Sequence, residues 1–471
     1  MEDHYFGTLK PKVAAYMHDL DVELWKLGIP AKTKHNEVAP AQHELAPVFD
    51  TTNVAVDHNQ LTMEIMKKVA DKHDLVCLLH EKPFEGINGS GKHNNWSMIT
   101  DDGVNLLDPG KTPSENIQFL VFLMAVIKAV DEYADLLRIS VASAGNDHRL
   151  GANEAPPAVV SIFLGDELTE VLKSIENDTY FTSHGAVQMD IGATVLPHFV
   201  KDNTDRNRTS PFAFTGNKFE FRMLGSAASV ANPNILLNTA VAEALDQFAK
   251  ELDGVAPEDM EHAVHELIKR AIKKHKRVIF NGNGYTDEWI EEAKKRGLYN
   301  LKSTPDALPM WIAQKNIDLF TKHSIFTSEE LHSRYEIWLE NYSKTINIES
   351  NTMVEMVQKD LLPSVMSYIE EIASTASLKA SVVPGITCES ETALITKLSE
   401  LQDAMTKGLE KLKSDTAKAR ATEDVLENAK LYQAEVLEDM EELRKSADAA
   451  ETLIPDDLLP YPTYGKLLFY I

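Results

Sequence analysis

The sequence predicts an α+β chain that passes into a helical extension, and three observations carry that reading. Residues 1–256 alternate short extended stretches, glycine- or proline-rich loops and apolar helices. Past Pro257 the texture changes to long, polar-faced helices, which continue to residue 385. Beyond Pro384-Gly385, residues 386–471 carry two apolar series at coiled-coil spacing and an aromatic tail. No internal period of about 20–50 residues is present, which excludes a solenoid.

The elements run in order along the chain. Val13, Tyr16, Leu20, Leu24 and Leu27 recur at helical spacing, and Gly28-Ile29-Pro30 stops that helix. Residues 35–49, with Pro40 and Pro47, read as short extended stretches. Leu61, Ile65 and Val69 fit a second helix, followed by a strand-like apolar run over residues 75–79. Thr112-Pro113-Ser114-Glu115 reads as a capping box with proline at the first helical position, opening a buried helix over residues 117–130. Asn232-Pro233 opens another, lined by Leu236, Leu237, Val241, Leu245 and Phe248. Thr286 and Gly297 bracket a short helix around Trp289. Leu394, Leu398, Leu401, Met405, Leu409 and Leu412 form one seam; Val425, Ala429, Tyr432, Val436, Met440 and Leu443 form another. Joined near residues 415–422, they predict an αα-hairpin that serves packing or oligomerisation, with the tyrosine-rich end docked on the body.

Composition narrows the function. Across 471 residues, 47 Lys+Arg stand against 73 Asp+Glu, a formal charge of −26. Such an excess argues against nucleic acid or an anionic membrane as the main partner. Two cysteines, Cys77 and Cys388, make no disulfide framework and fit a reducing compartment. Neither a secretory signal nor an 18-residue apolar run is visible, so a cytoplasmic protein is expected.

Four stretches concentrate polar chemistry. In His35-Asn-Glu37-Val-Ala-Pro-Ala-Gln-His43-Glu44, two glutamates lie seven apart across a proline-bearing turn. With extended flanks both point toward one cavity, where carboxylates suit a hard divalent cation; otherwise they are surface acids. Gly86-Ile-Asn88-Gly89-Ser90-Gly91-Lys92-His93-Asn-Asn95-Trp96-Ser97 nearly spells a phosphate loop. His93 occupies the hydroxyl position, however, and residues 94–100 read as a strand, whereas a phosphate loop needs a helix N-terminus. A glycine loop that presents His93 as a candidate metal ligand remains, beside the alternative of a histidine satisfied in a turn. Arg149 and Glu154 flank a small-residue loop stiffened by Pro156-Pro157, which reads as a mobile flap or a solvated loop. Finally, Asp205-Arg206-Asn207-Arg208 precedes Lys218-Phe219-Glu220-Phe221-Arg222. Period-2 alternation there puts three charges on one strand face and two aromatics on the other, a platform for a charged ligand or a plain surface strand. The basic run around residues 269–277 interleaves with apolar residues at helical spacing and reads as a solvated helix face or an intersubunit contact.

Together and in this order, HNEVAPAQHE, NGSGKHNNWS, RLGANEAPP and FEFR resemble the glutamine synthetases, and are most similar to their type III, long-chain bacterial class. The resemblance runs over essentially the whole chain. It implies a catalytic domain of antiparallel strands with packed helices, followed by a helical C-terminal extension. It also implies ring-shaped homo-oligomers (dodecamers in the family) with active sites between subunits, and L-glutamate, ammonium and ATP as substrates. Glu37 and Glu44 match the glutamates holding the metal near glutamate and ammonium; His93 and Glu220 match ligands of a second metal, on the ATP phosphates. Asn88 and Gly89 match a loop contacting the substrate's amino-acid portion, and Asn95 and Ser97 fall at ATP contacts. Arg149 matches the arginine gripping the substrate carboxylate, Glu154 the flap glutamate, and Arg208 and Arg222 the arginines stabilising the phosphate and the substrate. Lys218 lies at a basic nucleotide-contacting position.

Departures accompany the match. The 149–154 loop is one residue shorter than in the common bacterial type, and Ala213 stands where that type has a second phosphate arginine. No glutamate-x-glutamate strand, one ligand for each metal, precedes Glu37. The resemblance therefore implies two Mg²⁺ or Mn²⁺ sites each short of one ligand, and little or no turnover by this chain alone. The implied reaction forms glutamine through a γ-glutamyl phosphate. Phosphoryl transfer is chiefly positioning and charge neutralisation. Like charges ~4 Å apart repel by about 4 kcal/mol at an effective dielectric of 20, so the acidic cluster requires divalent cations to admit ATP and glutamate. A catalytically incompetent fragment or assembly or regulatory paralogue, and a related γ-glutamyl-amine ligase, are the alternatives.

Overall fold

The structure is a computed structural model that describes residues 4–153, 155–179, 188–189, 199–200 and 207–469. The chain divides into two compact units, Met1–Leu331 and His332–Ile471. That division falls inside the stretch 257–385, which the sequence predicts to be one helical continuation.

The first unit opens with α1 (Pro11–Lys26), a hairpin of β1 (Ala31–Asn36) and β2 (His43–Pro47), and α2 (Thr52–Lys72). Val13, Met17, Leu20 and Leu24 face inward on α1, and Leu20, Leu24, Ile29 and Val69 make a small core of their own. Gly28, at φ +77°, ends α1 as expected.

A four-stranded sheet runs in the order β3 (Gly91–Trp96), β8 (Phe219–Gly225), β7 (Phe212–Phe214), β4 (Ile162–Phe163). The first two pairings are antiparallel and the β4–β7 edge is parallel. A separate two-stranded ladder joins β5 (Gln188–Met189) to β6 (Phe199–Val200). Against the sheet lies α3 (Ile117–Glu132), buried nearly all round, with α7 (Ala231–Leu252) and α8 (Met260–His275) behind it. Phe212 stacks on Phe219 with centroids 4.7 Å apart, and Phe119 reaches Phe214 at 5.9 Å. Each such side chain contributes about 1.5–3 kcal/mol by leaving water, so the sheet is rigid where the site is built. Shorter helices complete the unit: α4 (Ala134–Ile139), α5 (Ala144–Arg149), α6 (Asp166–Glu176), α9 (Asp287–Lys295), α10 (Thr304–Ala307) and α11 (Gln314–Lys322). Thr286 caps α9 by accepting from Trp289 N at 3.2 Å, and Gly297 comes just after it at φ +71°, as the sequence predicts.

Three local expectations are corrected. The Thr112 capping box is a turn, with Glu115 N donating to Thr112 O at 3.0 Å; α3 starts later, where the Asn116 side chain accepts from Phe119 N at 3.1 Å. Both satisfy orphan amides, but Asn116 is followed at once by the apolar helical series. Residues 75–79 join no ladder. Val76 and Leu78 are 82% and 67% exposed, so apolar content alone made no strand without a neighbouring backbone to pair with. Pro233 sits in the first turn of α7, which begins two residues before it.

Basic residues of α8 and the turn after it carry acidic partners, with Lys269 on Asp178 and Lys276 on Glu176 at 2.7 Å, so this face is ion-paired within the chain. At its end His275 Nδ1 meets Asp131 Oδ2 at 2.8 Å, and Arg277 Nε donates to Asp131 Oδ1 at 2.7 Å.

The second unit is wholly helical among its described residues: most of α12 (Ser328–Met356), then α13 (Leu362–Val382), α14 (Glu389–Arg420), α15 (Val425–Leu431), α16 (Leu437–Glu451) and α17 (Tyr464–Phe469). Single π-helical turns join α12 to α13 and α15 to α16. The predicted hairpin is present, with Leu398, Met405, Leu412 and Val436 fully buried along its seam. Asp424 caps its return limb, accepting from Leu426 N and Glu427 N at 3.1 and 2.9 Å. In the tail, Tyr461 OH donates to Glu451 at 2.6 Å, while Tyr464 and Leu467 stay exposed. No helix among the described residues is long and apolar enough to cross a membrane.

Candidate active site

The β1–β2 hairpin gathers the first acidic group. Glu37 N donates to Gln42 O at 2.8 Å across the turn, and Ala41 takes the left-handed conformation at φ +53°. The register sets His35 directly opposite Glu44, while Glu37, two residues on, lies on the same side. Accordingly His35 Nε2 lies 3.2 Å from Glu44 Oε2 and its Nδ1 lies 3.5 Å from Glu37 Oε1. One ligand atom from each of the three falls within 4.8 Å of the others. Motif and spacing single out both glutamates and pass over His35. Strand alternation carries the missing signal: a residue two before Glu37 and across from Glu44 shares their face.

From the same turn, Gln42 Nε2 donates to Gly89 O at 3.0 Å, which ties the hairpin to the glycine loop. That loop is gripped from below: Lys82 donates to Ile87 O, and Ser90 N donates to Glu81 O at 2.8 Å. Asn88 and Gly89 are half-buried in it. The chain then enters β3, which starts three residues before the predicted 94–100 and ends at Trp96, with outward Gly91, His93 and Asn95 alternating with inward Lys92, Asn94 and Trp96. Register slips between Lys92 and Asn94, and such irregularities re-aim side chains. His93 Nδ1 lies 3.0 Å from Glu220 Oε1 on the neighbouring strand. The proposed ligands thus form two groups: Glu37 and Glu44 with His35, and His93 with Glu220.

Strand β8 departs from the surface platform that the alternation suggests. Glu220 and Arg222 are each 3% exposed, on a strand buried along its whole length between β3 and β7, and the 207–210 loop meets Arg222. Arg222 NH1 donates to Asn207 O at 3.0 Å in that loop, where Arg208 is exposed. Lys218 precedes the strand, half-buried, with Nζ 3.4 Å from Asn217 Oδ1. Ser97 Oγ lies 2.7 Å from Asn105 Oδ1 and 3.1 Å from Asn217 O, a tie between loops.

Arg149 ends α5 and is only 5% exposed. Its guanidinium donates to Asn146 Oδ1 at 3.3 Å and to the carbonyls of Met223 and Arg222 at 3.4 Å. A Cβ on Gly91 would collide with it, so the loop's glycines give it room. Burial lowers its pKa to about 10, with Glu81 and Tyr285 opposing and Arg222 reinforcing. Burial likewise brings Lys92 down to about 8 against the pull of Glu81, and lowers His43. Glu154, Asp205 and Arg206 lie outside the described residues.

The donor sets can hold divalent cations. Two carboxylates and an imidazole within one ion's reach, and an imidazole beside a buried carboxylate, are hard-to-borderline ligands of the kind Mg²⁺ and Mn²⁺ accept. Arg222 lies two residues past Glu220 on β8 and Arg149 lies beneath the glycine loop, which sets bases for anions close to acids for metals.

Comparison with known proteins returns one family. The model of the glutamine synthetase catalytic domain matches residues 2–160, and that of the glutamine synthetase C-terminal domain matches residues 263–379. A glutamine synthetase of Butyrivibrio fibrisolvens is 60% identical over 474 residues, covering all of this chain and 67% of the relative. A type-3 glutamine synthetase of Dictyostelium discoideum is 46% identical, covering all of this chain and 64% of the relative. For a glutamine synthetase of Bacteroides fragilis the figures are 40%, all and 66%. The chain spans about two thirds of the length of these curated relatives.

Proposed function

The chain belongs to the glutamine synthetase family, and from that membership we propose that it serves the ATP-dependent ligation of ammonia to L-glutamate, giving L-glutamine through a γ-glutamyl phosphate. The observation that carries the proposal is the convergence of His35, Glu37 and Glu44 within 4.8 Å, on a hairpin hydrogen-bonded to the glycine loop.

Glu37 and Glu44, with His35 beside them, would hold one divalent ion, and His93 with Glu220 a second. When bound, such ions neutralise phosphate and carboxylate charge and align the transferring group. The protein's own side chains supply the rest. Asn88 and Gly89 would receive the amino-acid portion of glutamate, and Arg149 its carboxylate. Asn95, Ser97 and Lys218 would contact ATP. Arg208 and Arg222 would stabilise charge on the phosphoryl group as it moves, and Arg222, buried and fixed to Asn207 O, is preorganised for that task. Glu154 would close over the acyl phosphate and exclude water. A homo-oligomeric ring and a cytoplasmic location are part of the same proposal.

Glutamine formation followed with ATP, L-glutamate and ammonium provides the test. With one ligand expected to be missing from each metal site, product from this chain should be scant and should appear only when a divalent cation is present, and Glu44→Gln and Glu220→Gln should each reduce it further. Metal-independent turnover, or faster reaction with a polyamine than with ammonium, would reject the proposal. Relatives named glutamine synthetase over the whole chain, at 60%, 46% and 40% identity, disfavour both the amine-ligase and the non-catalytic alternatives.

A further inference from the structure

Glu81 has no part in the roles assigned to the site, yet it is among the charged side chains that the first unit buries most completely, at 6% exposure. Three glycines are shaped around it. A Cβ on Gly145 in α5 would come within 2.6 Å of its Oε2, and one on Gly225 at the end of β8 within 2.5 Å of its Oε1. A Cβ on Gly89 would come within 2.6 Å of its carbonyl oxygen. Its Oε1 accepts the N–H of Ala227 at 3.0 Å, just past β8. The carboxylate is therefore wedged between a helix and a strand end, each without a side chain where it sits, while the glycine loop closes on the residue's backbone carbonyl.

Two cations share that interior and feel its charge: Lys92 of β3, and Arg149 of α5, which lies one helical turn past the Gly145 that abuts the carboxylate. Arg149 runs beneath Gly89 and Gly91, where either Cβ would strike its side chain. Its three hydrogen-bond acceptors, Asn146 Oδ1 and the Met223 and Arg222 carbonyls, are all neutral and lie at 3.3–3.4 Å. Long bonds to neutral oxygens compensate a buried guanidinium poorly, and a buried cation is stable where an anion stands near it. Lys82 and Arg222 add further positive charge around Arg149.

We infer that Glu81 is a positioning residue whose carboxylate keeps the Arg149 guanidinium seated in the slot beneath the glycine loop, so that Arg149 is set for the carboxylate of the substrate. This deepens the proposed function and rests on reading Arg149 as the substrate-carboxylate residue. The neutral isostere separates charge from shape. Glu81→Gln keeps the volume and an oxygen for the Ala227 N–H and removes only the counter-charge. Glu81→Asp keeps the charge on a shorter arm.

Two readouts test it on the full chain. In glutamine formation, Glu81→Gln should raise the KM for L-glutamate about tenfold, with the KM for ATP and kcat within about twofold of wild type. In parallel, phenylglyoxal should modify Arg149 several-fold faster in Glu81→Gln than in wild type, read by mass spectrometry of the Arg149 peptide, with unchanged circular dichroism. Glu81→Asp should keep Arg149 protected. A Gln variant indistinguishable from wild type in both readouts would overturn the inference, leaving Glu81 as an acceptor for Ala227 alone. It would also be overturned if the glutamate and ATP constants rose together. Should wild type make no glutamine, as the ligand missing from each metal site predicts, the kinetic readout falls away and the labelling result alone decides the role of Glu81.

Discussion

The β1–β2 hairpin and the β3–β8 ladder each offer acidic and imidazole groups at short range, but they hold them by opposite means. On the hairpin, Glu44 and His35 have side chains 47% and 33% exposed, and His35 meets Glu44 at 3.2 Å and its neighbour's carbonyl, Asn36 O, at 2.8 Å. On the ladder the His93 side chain is 41% exposed, but that of its partner Glu220 is only 4% exposed, on a strand whose Phe219 and Phe221 are fully buried. Scaffold rigidity thus positions one group, whereas the other depends on mutual attraction and on whatever cation sits between its members. One half of the site is preorganised, and the other is completed by its ligand.

The contrast can be broken most forcefully from beneath the ladder. Phe219→Ala should cost about 3–5 kcal/mol in chemical denaturation, because it opens a cavity under both Glu220 and the Phe212 stack. Crowding is the next probe. Gly225→Ala places a Cβ 2.5 Å from the Glu81 carboxylate and should cost about 1–3 kcal/mol by the same measurement. An unchanged midpoint would show that the β8 end yields freely and that the ladder is no more preorganised than the hairpin.

Hairpin substitutions should show the reverse profile. Glu44→Gln should weaken Mn²⁺ binding about tenfold in isothermal titration. Its folding stability should stay within about 0.5 kcal/mol of wild type, as at other surface positions. A large stability loss there would erase the distinction.

The smallest effect concerns charges that belong to neither region. Between α7 and α11, Lys322 donates to Glu243 and Asp246, and His323 meets Glu243 at 2.6 Å. Hydrogen bonds from Lys250 and then Lys322 hold Asp246 down to about 2, and Glu243 also stays below its usual range, although burial acts against this. Folded-state pKa values below the unfolded ones add stability that is present above the ordinary carboxylate range and lost as pH falls from about 4 toward 2. Lys322→Met should therefore flatten the fall in melting temperature over that window and leave Mn²⁺ binding untouched. A variant that melts in parallel with wild type from pH 6 to 2 would assign acid sensitivity to other groups.

Much of this is legible in the residues. Helices α1, α9 and the α14–α16 seam carry their period and their stops in the chain itself, because amphipathic spacing, Gly28, Thr286 and Gly297 act locally. Glu37, Glu44, His93 and Glu220 are recognisable from four ordered motifs, and the structure gathers them as two sets, one on the hairpin and one on the β3–β8 ladder. What escapes is relational. His35 joins the acids only through cross-strand register, the start of α3 depends on which of two polar residues caps it, and residues 75–79 need a partner strand that composition does not reveal.

The sequence by itself determined the family, the helical extension and the identity of the charged groups, since these rest on residue type and on spacing along one chain. Only the tertiary structure decided that Glu220 and Arg222 are buried, that Arg149 lies under the glycine loop, and that Glu81 stands among three glycines. The physical reason is that burial and counter-charge belong to neighbours far apart along the chain, and packing alone sets which neighbours meet.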